Sequence, residues 1–311
     1  MVDWFHWASF LAFLVLLLAL DLFVLHRRAR EVPFKQALVW TAVWVGLALA
    51  FGGVLLLWRG AEVGGEYAAG YLIEWSLSVD NVFVFVLIFT HFAVPAAYQH
   101  RVLFWGVLGA ILLRLSFILG GSALLNRFHW VIYVFGGLLV VTAVRFLAER
   151  TEGRSLEESV ILRLTRRVLP ITESFQGQRL VVRRGRGVLA TPLLAVLVVI
   201  EATDVVFAID SVPAVFSVTR DAFVAFTSNA MAILGLRSLY FVLARAMGRF
   251  RYVKPALAAI LAFVGVKMLL TDVVEIPVAV SLVVIAGILA TGIGASVLRP
   301  APEVRRPPVG S

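Results

Sequence analysis

Long apolar stretches alternate with short polar ones from one end of this chain to the other. Nine of them approach the roughly 20 residues that a helix needs to cross the hydrocarbon of a bilayer. They lie near 7–25, 37–57, 68–90, 102–121, 130–148, 191–217, 222–243, 255–271 and 277–297. The pattern predicts an all-α, polytopic membrane helix bundle of about nine transmembrane helices, occupying residues 1–298. No positive region precedes the first stretch and no small-residue cleavage site follows it. His26, Arg27, Arg28 and Arg30 come directly after, so it reads as a retained anchor and not a cleaved signal peptide.

Two stretches break the apolar rule in the same way. The third contains Glu74, Asp80 and Asn81; the sixth contains Glu201, Asp204, Asp210, Ser211 and Pro213. An ionised carboxylate at the bilayer centre costs about 2.5 to 3.5 kcal/mol on the most lenient scale, so such a group is expected to have a function. Glu74 and Asp80 are six apart, as are Asp204 and Asp210, and a small amide or hydroxyl follows each second acid. Two spans intervene, so the motif-bearing spans cross in opposite directions. This predicts an inverted repeat of spans 3–5 and 6–8, with spans 1, 2 and 9 peripheral. Secondary transporters built this way hold substrate at the repeat interface, near the midplane.

Composition agrees with a membrane protein. Of 311 residues, 61% are hydrophobic and 15% charged, against about 25% charged in soluble domains, and the mean hydropathy is +0.96. The absence of cysteine excludes disulfides, thiolate metal sites and thiol redox chemistry. A net charge of +9 would point a soluble protein toward nucleic acid. Here the basic residues sort by loop instead. With the N-terminus outside, 21 lie in cytoplasmic segments and three, Arg59, Arg127 and Arg220, in outer loops. This positive-inside bias puts the C-terminus in the cytoplasm and removes nucleic acid as an expected partner. The largest polar segment is the cytoplasmic loop 150–190, where Arg179 to Arg184 and Val188 to Thr191 flank a glycine-containing turn and predict a small hairpin. The proline-rich tail, 299–311, is expected to be disordered.

Helix phase limits how the acids can meet. Six residues rotate a helix by about 240° beyond a full turn, so Glu74 and Asp80 cannot share one face of a straight helix. Glu201 and Asp204 can, whereas Glu201 and Asp210 point in opposite directions. Either the helices are surrounded by protein or their backbones are interrupted. Pro213 favours a break in the sixth span, because it cannot donate to the carbonyl of Ile209; in the third span only Ser76, Ser78 and Asn81 offer polar relief. Three bases lie at membrane depth, Arg114, Arg237 and Lys267, as charge-balancing groups or members of a proton path. Five acids against three bases leave minus two, for a cation or protons to neutralise, even if several acids form interhelical ion pairs. Oxygen ligands without cysteine or intramembrane histidine suit magnesium, calcium or manganese. Asp21 is expected only to face the interface, His91 and His100 to be surface residues, and glycines such as Gly136 and Gly265 to permit close helix packing.

The runs Tyr71 to Asn81, Tyr98 to Gly106, Thr191-Pro192 and Glu201 to Ala214, continued by Ser228 to Phe241, resemble the TerC family of bacterial membrane proteins, including its Alx-type members. The resemblance covers most of the chain. It implies a multispan protein of the bacterial inner membrane, related to lysine-exporter-like transporters and linked to manganese export and to tellurium resistance. Its acidic motif residues fall on Glu74, Asp80, Asn81, Asp204, Asp210 and Ser211. The expected function is export of a divalent metal cation, manganese foremost, in exchange for protons. Asp80 and Asp210 approach one another as main ligands, Asn81, Ser211 and Glu74 complete the oxygen shell, and Glu201 and Asp204 bind the ion or alternate as proton carriers. Manganese is cargo here, and no prosthetic group is expected. Two other classes compete. A non-transporting partner in metal delivery, with indirect tellurium resistance, fits the same sequence. An intramembrane aspartyl protease fits less well, because Asp80 and Asp210 lack the Gly-x-Gly-Asp context and three further acids would be superfluous. No enzymatic activity is expected. A direct tellurite carrier conflicts with the surplus negative charge.

Overall fold

In the computed structural model, residues 3–21, 33–148, 172, 174–184, 187–244, 252–274 and 276–298 are described. Their order is α1 (Trp4–Leu20), α2 (Phe34–Arg59), α3 (Ala61–His91), α4 (Ala96–Arg127), α5 (Val131–Ala148), β1 (Val181–Arg184), β2 (Gly187–Ala190), α6 (Pro192–Phe216), α7 (Ala222–Leu234), α8 (Leu236–Leu243), α9 (Val253–Leu269) and α10 (Val278–Leu298). The nine apolar runs fall on these helices, with α7 and α8 sharing one run. By length and apolarity six described helices can cross a membrane, or seven if the α7–α8 pair, bent by 42°, is one span; α1 and α9 are shorter apolar helices. The molecule is an all-α polytopic membrane protein. The tail 299–311 and most of loop 150–190 lie outside the described residues, but β1 and β2 form the expected antiparallel hairpin, Val181 opposite Ala190.

Local chemistry sets the helix starts. Pro33 and Pro95 precede α2 and α4, and Pro192 opens the first turn of α6, where a missing N–H is harmless. The Asp221 carboxylate caps α7 by accepting from the backbone N–H of Phe223 at 2.8 Å. Gly60, with φ at +92°, lets α2 turn directly into α3.

The breaks expected in the motif-bearing spans are absent. Helix α3 runs 31 residues without interruption, and α6 runs 25 residues straight through Pro213. Pro213 falls in the last turn of α6, so the bond it cannot make to the Ile209 carbonyl lies near the end of the ladder and the helix continues past it to Phe216. The interruption falls instead at Gly235, between α7 and α8. Surrounding the acids with protein is therefore how this fold accommodates them.

Helices α3 and α6 are antiparallel. Thr219, just beyond α6, donates its hydroxyl to Glu66 Oε2 at 2.6 Å, and Val215 Cγ1 lies 3.6 Å from where a Cβ on Gly70 would stand. Continuing that register brings Glu74 level with Ser211 and Asn81 level with Asp204. Helix α4 runs parallel to α6, with Gly106 against Ile200 and Gly121 against Phe216. Helices α5 and α9 cross closely at Gly136 and Gly265. A Cβ on Gly136 would meet the Gly265 carbonyl oxygen at 2.9 Å, and one on Gly265 would meet the Gly136 oxygen at 2.8 Å. Farther along the same antiparallel pair, His129 Nε2 lies 3.0 Å from Asp272 Oδ2. Large side chains such as Leu57, Val141, Leu147 and Val283 are exposed around the outside, as a surface facing lipid requires.

Candidate intramembrane polar site

Glu74 is fully buried in α3, and both of its oxygens are engaged. Oε1 accepts from Arg114 Nη1 of α4 at 2.6 Å, and Oε2 accepts from Asn229 Nδ2 of α7 at 2.8 Å. The same guanidinium lies 3.5 Å, Nη2 to Oδ1, from Asp204 of α6. Arg114 and Asp204 are 1% and 3% exposed. One arginine thus holds two carboxylates from the two motif-bearing helices, at unequal distances.

The convergence follows from a seven-residue spacing. Seven residues fall only about 20° short of two full turns, so Glu74 and Asn81 share one face of α3, and Asp204 and Ser211 one face of α6. The antiparallel register sets Glu74 level with Ser211 and Asn81 level with Asp204 along the two helices. A cavity with about 10 Å³ of room lies beside them, space for one water or one dehydrated ion. Its polar lining is Asn81, Arg114, Asp210 and Ser211; Leu77, Phe146, Phe207 and Leu261 close it with apolar walls. Asp210 Oδ1 accepts from Thr142 Oγ1 of α5 at 2.8 Å. The cavity therefore joins α3, α4, α5, α6 and α9.

Several buried polar atoms around this point have no hydrogen-bond partner among the described residues: Arg114 Nε, Asp204 Oδ2, Asn229 Oδ1 and Ser78 Oγ. Each such atom costs about 1 to 3 kcal/mol relative to a satisfied one. That concentration is uncommon in a purely structural network, where buried groups are paired.

The remaining expected residues are distributed as follows. Glu201 lies on the side of α6 toward α4, as Asp204 does, and a Cβ on Gly109 would collide with its carboxylate. Asp80 is in α3, but its side chain lies outside the described residues, and so does its expected approach to Asp210. Arg237 makes its ion pair with Asp21 at the end of α1, so it serves the α1–α8 contact. Asp21 is accordingly buried, at 7% exposure, and not simply facing the interface. Lys267 donates to Ser281 Oγ of α10 at 2.8 Å. It lines an open vestibule of about 870 Å³, together with Glu62, Glu66, Thr219 and Arg220, where α3 begins and α6 ends. Phe216 and Ile132 lie in the wall of that vestibule. His100 is buried, contrary to the expectation of a surface residue. Among the described residues no three His, Asp or Glu side chains converge as a ready metal cage. The donors that do converge are mixed: carboxylate, amide and hydroxyl. Asn229 and Thr142 were not anticipated. Asn229 is a polar amide in an apolar run, which the cost argument for intramembrane acids would also have flagged; nothing in the sequence singles out Thr142.

A profile of the integral membrane protein TerC family matches residues 59–302. An uncharacterized membrane protein of Myxococcus xanthus, STKORF319, is 53% identical over 294 residues, covering 94% of this chain and 92% of that one. A protein of Escherichia coli K12 provisionally named a membrane-bound redox modulator, Alx, is 44% identical over 292 residues and covers 91% of each chain. An uncharacterized membrane protein of Rickettsia bellii is 40% identical over 293 residues, 94% of this chain and 97% of its own length. No solved structure matches.

Proposed function

The chain belongs to the integral membrane protein TerC family, and from that premise we propose that it exports divalent cations, manganese foremost, in exchange for protons. The observation that carries this reading is the small cavity lined by Asn81, Arg114, Asp210 and Ser211, with the buried Glu74 and Asp204 both on the Arg114 guanidinium. Hard oxygen donors of this mixed kind suit manganese, magnesium and calcium. A partial shell also suits a carrier, which has to release its ion as well as bind it. Glu201, Asp204 and Asp210 supply carboxylates that hold either a proton or the ion, which is how the two flows couple.

Two further observations support a repeat-built transporter. Ala110-Ile-Leu-Leu-Arg114 in α4 resembles Ala232-Ile-Leu-Gly-Leu-Arg237 across α7 and α8, with Gly235 as the extra residue at the bend. The helix pairings are those that exchanging spans 3–5 with 6–8 would produce: α3 packs on α7 as α4 packs on α6, while α3 on α6 and α5 on α9 map onto themselves. Under the positive-inside rule the vestibule opens outward and the hairpin end faces the cytoplasm of a bacterial inner membrane. The vestibule is then the exit for cargo leaving the midplane.

The name of the Escherichia coli relative fits this reading indirectly. This chain has no cysteine to carry thiol redox chemistry, so a redox or tellurium phenotype would follow from altered metal supply. A non-transporting partner in metal delivery is the competing reading. Purified protein in liposomes separates the two. Manganese flux, competed more weakly by magnesium and calcium than by manganese itself, is the expected result; liposomes no more permeable than empty ones would leave only the partner role.

A further inference from the structure

We infer that the groove between α2 and α3 holds one phospholipid. Its acyl chain lies in the groove and its zwitterionic phosphoethanolamine head in the mouth of the vestibule, phosphate toward Lys267 and amine toward Glu62 and Glu66. This needs only the membrane-spanning fold and goes beyond the export reading.

The groove has about 750 Å³ of room and a largely apolar lining. Gly64, Ala68, Tyr71 and Trp75, spaced four, three and four, line it along one face of α3. The Tyr67 hydroxyl is taken up by the Ala48 carbonyl at 2.9 Å, so this side chain presents its ring to the groove. Small residues, Ala61, Gly64 and Gly65, stand at one end, and Trp75, next to Glu74, stands at the other. The lining runs from Val45 to Leu56 on α2 and from Gly64 to Trp75 on α3, eleven residues along each helix. At 1.5 Å per residue that is about 16 Å, half of the roughly 30 Å hydrocarbon core. A helix from a second copy would continue through both leaflets, whereas a groove one leaflet deep fits an acyl chain. Under the positive-inside rule that leaflet is the outer one. The vestibule adjoins the groove: Ala61, Gly65 and Leu282 line both. Lys267 is drawn to this side by its 2.8 Å bond to Ser281, the neighbour of Leu282, and Glu62 and Glu66 are one turn apart on α3. Among the described residues no ion pair joins Lys267 to either acid. Charges of both signs at the mouth complement a zwitterion; an anionic glycerol head would meet the same carboxylates with no amine to offset them.

The test is native mass spectrometry of the full chain, released from micelles doped equally with phosphatidylethanolamine and phosphatidylglycerol of identical acyl chains. One bound phosphatidylethanolamine per chain is expected, preferred about fivefold, the discrimination an exposed ion pair supplies. Gly53→Leu fills the groove at a position where a Cβ meets nothing within 4 Å, and is expected to lower that occupancy about tenfold. Gly137→Leu, at an equally open glycine outside the groove, is expected to leave it unchanged. Glu62→Gln, at an exposed residue, is expected to erase the head-group preference while binding persists, and it keeps the head assignment testable should Gly53→Leu fail to fold. Phosphatidylglycerol retained as well as or better than phosphatidylethanolamine, a preference indifferent to Glu62→Gln, or occupancy indifferent to Gly53→Leu overturns the inference and leaves only an unselective lipid annulus. A dimer that Gly53→Leu dissociates overturns it too, because the groove then belongs to a second copy.

Discussion

At Glu74 two neighbours hold one buried carboxylate. Arg114 supplies the charge and Asn229 the second donor, at 2.6 and 2.8 Å. Removing the amide takes away the 2.8 Å donor to the buried Glu74 Oε2. Asn229→Leu should therefore destabilise the protein by about 1 to 3 kcal/mol, read as a lower unfolding temperature in detergent. Asn229→Asp should be worse, because it sets a second carboxylate against the first. The sequence alone marked Glu74 and Arg114 as costly charges at membrane depth, since that cost depends only on residue type and position in an apolar run. It did not reveal that Arg237 belongs to Asp21, because nothing along the chain says which of several basic residues a given acid will meet.

The helices bring the two motifs together by phase and register. The six-residue spacing between acids is out of phase with a continuous helix, but the seven-residue spacing from Glu74 to Asn81 and from Asp204 to Ser211 lets uninterrupted helices present both polar groups on one face. That seven-residue interval is legible in the sequence, because it depends only on residue type and helix phase. Glycine contacts show a limit. Gly136 and Gly137 are adjacent and indistinguishable by composition, but a Cβ on Gly136 would strike the Gly265 carbonyl, while one on Gly137 meets nothing within 4 Å. Gly136→Ala should cost about 1 to 3 kcal/mol by forcing α5 and α9 apart, whereas Gly137→Ala should leave thermal stability unchanged. Equal unfolding temperatures for the two variants would show that the close crossing is not a source of stability.

Across the whole molecule, the apolar periodicity that made this an all-α membrane protein was legible because each span must satisfy its own backbone hydrogen bonds in lipid. The way the spans pack was less so. Van der Waals fit between apolar helices leaves little trace in residue type, so the α7–α8 bend and the small polar cavity emerge only once α3 to α6 are assembled. The cavity lies between a vestibule at one end and the hairpin at the other, an arrangement that suits alternating access. Coupling of manganese to protons is the most demanding consequence. The decisive measurement is lumenal pH, followed together with manganese uptake, in proteoliposomes carrying wild type or Asp210→Asn under an inward manganese gradient. The account predicts that the lumen of wild-type vesicles becomes alkaline as manganese enters, and that Asp210→Asn slows both signals about tenfold or more, as loss of roughly 1.4 kcal/mol or more would require. Manganese entry without a pH change would contradict the exchange, and undiminished entry through Asp210→Asn would contradict the site.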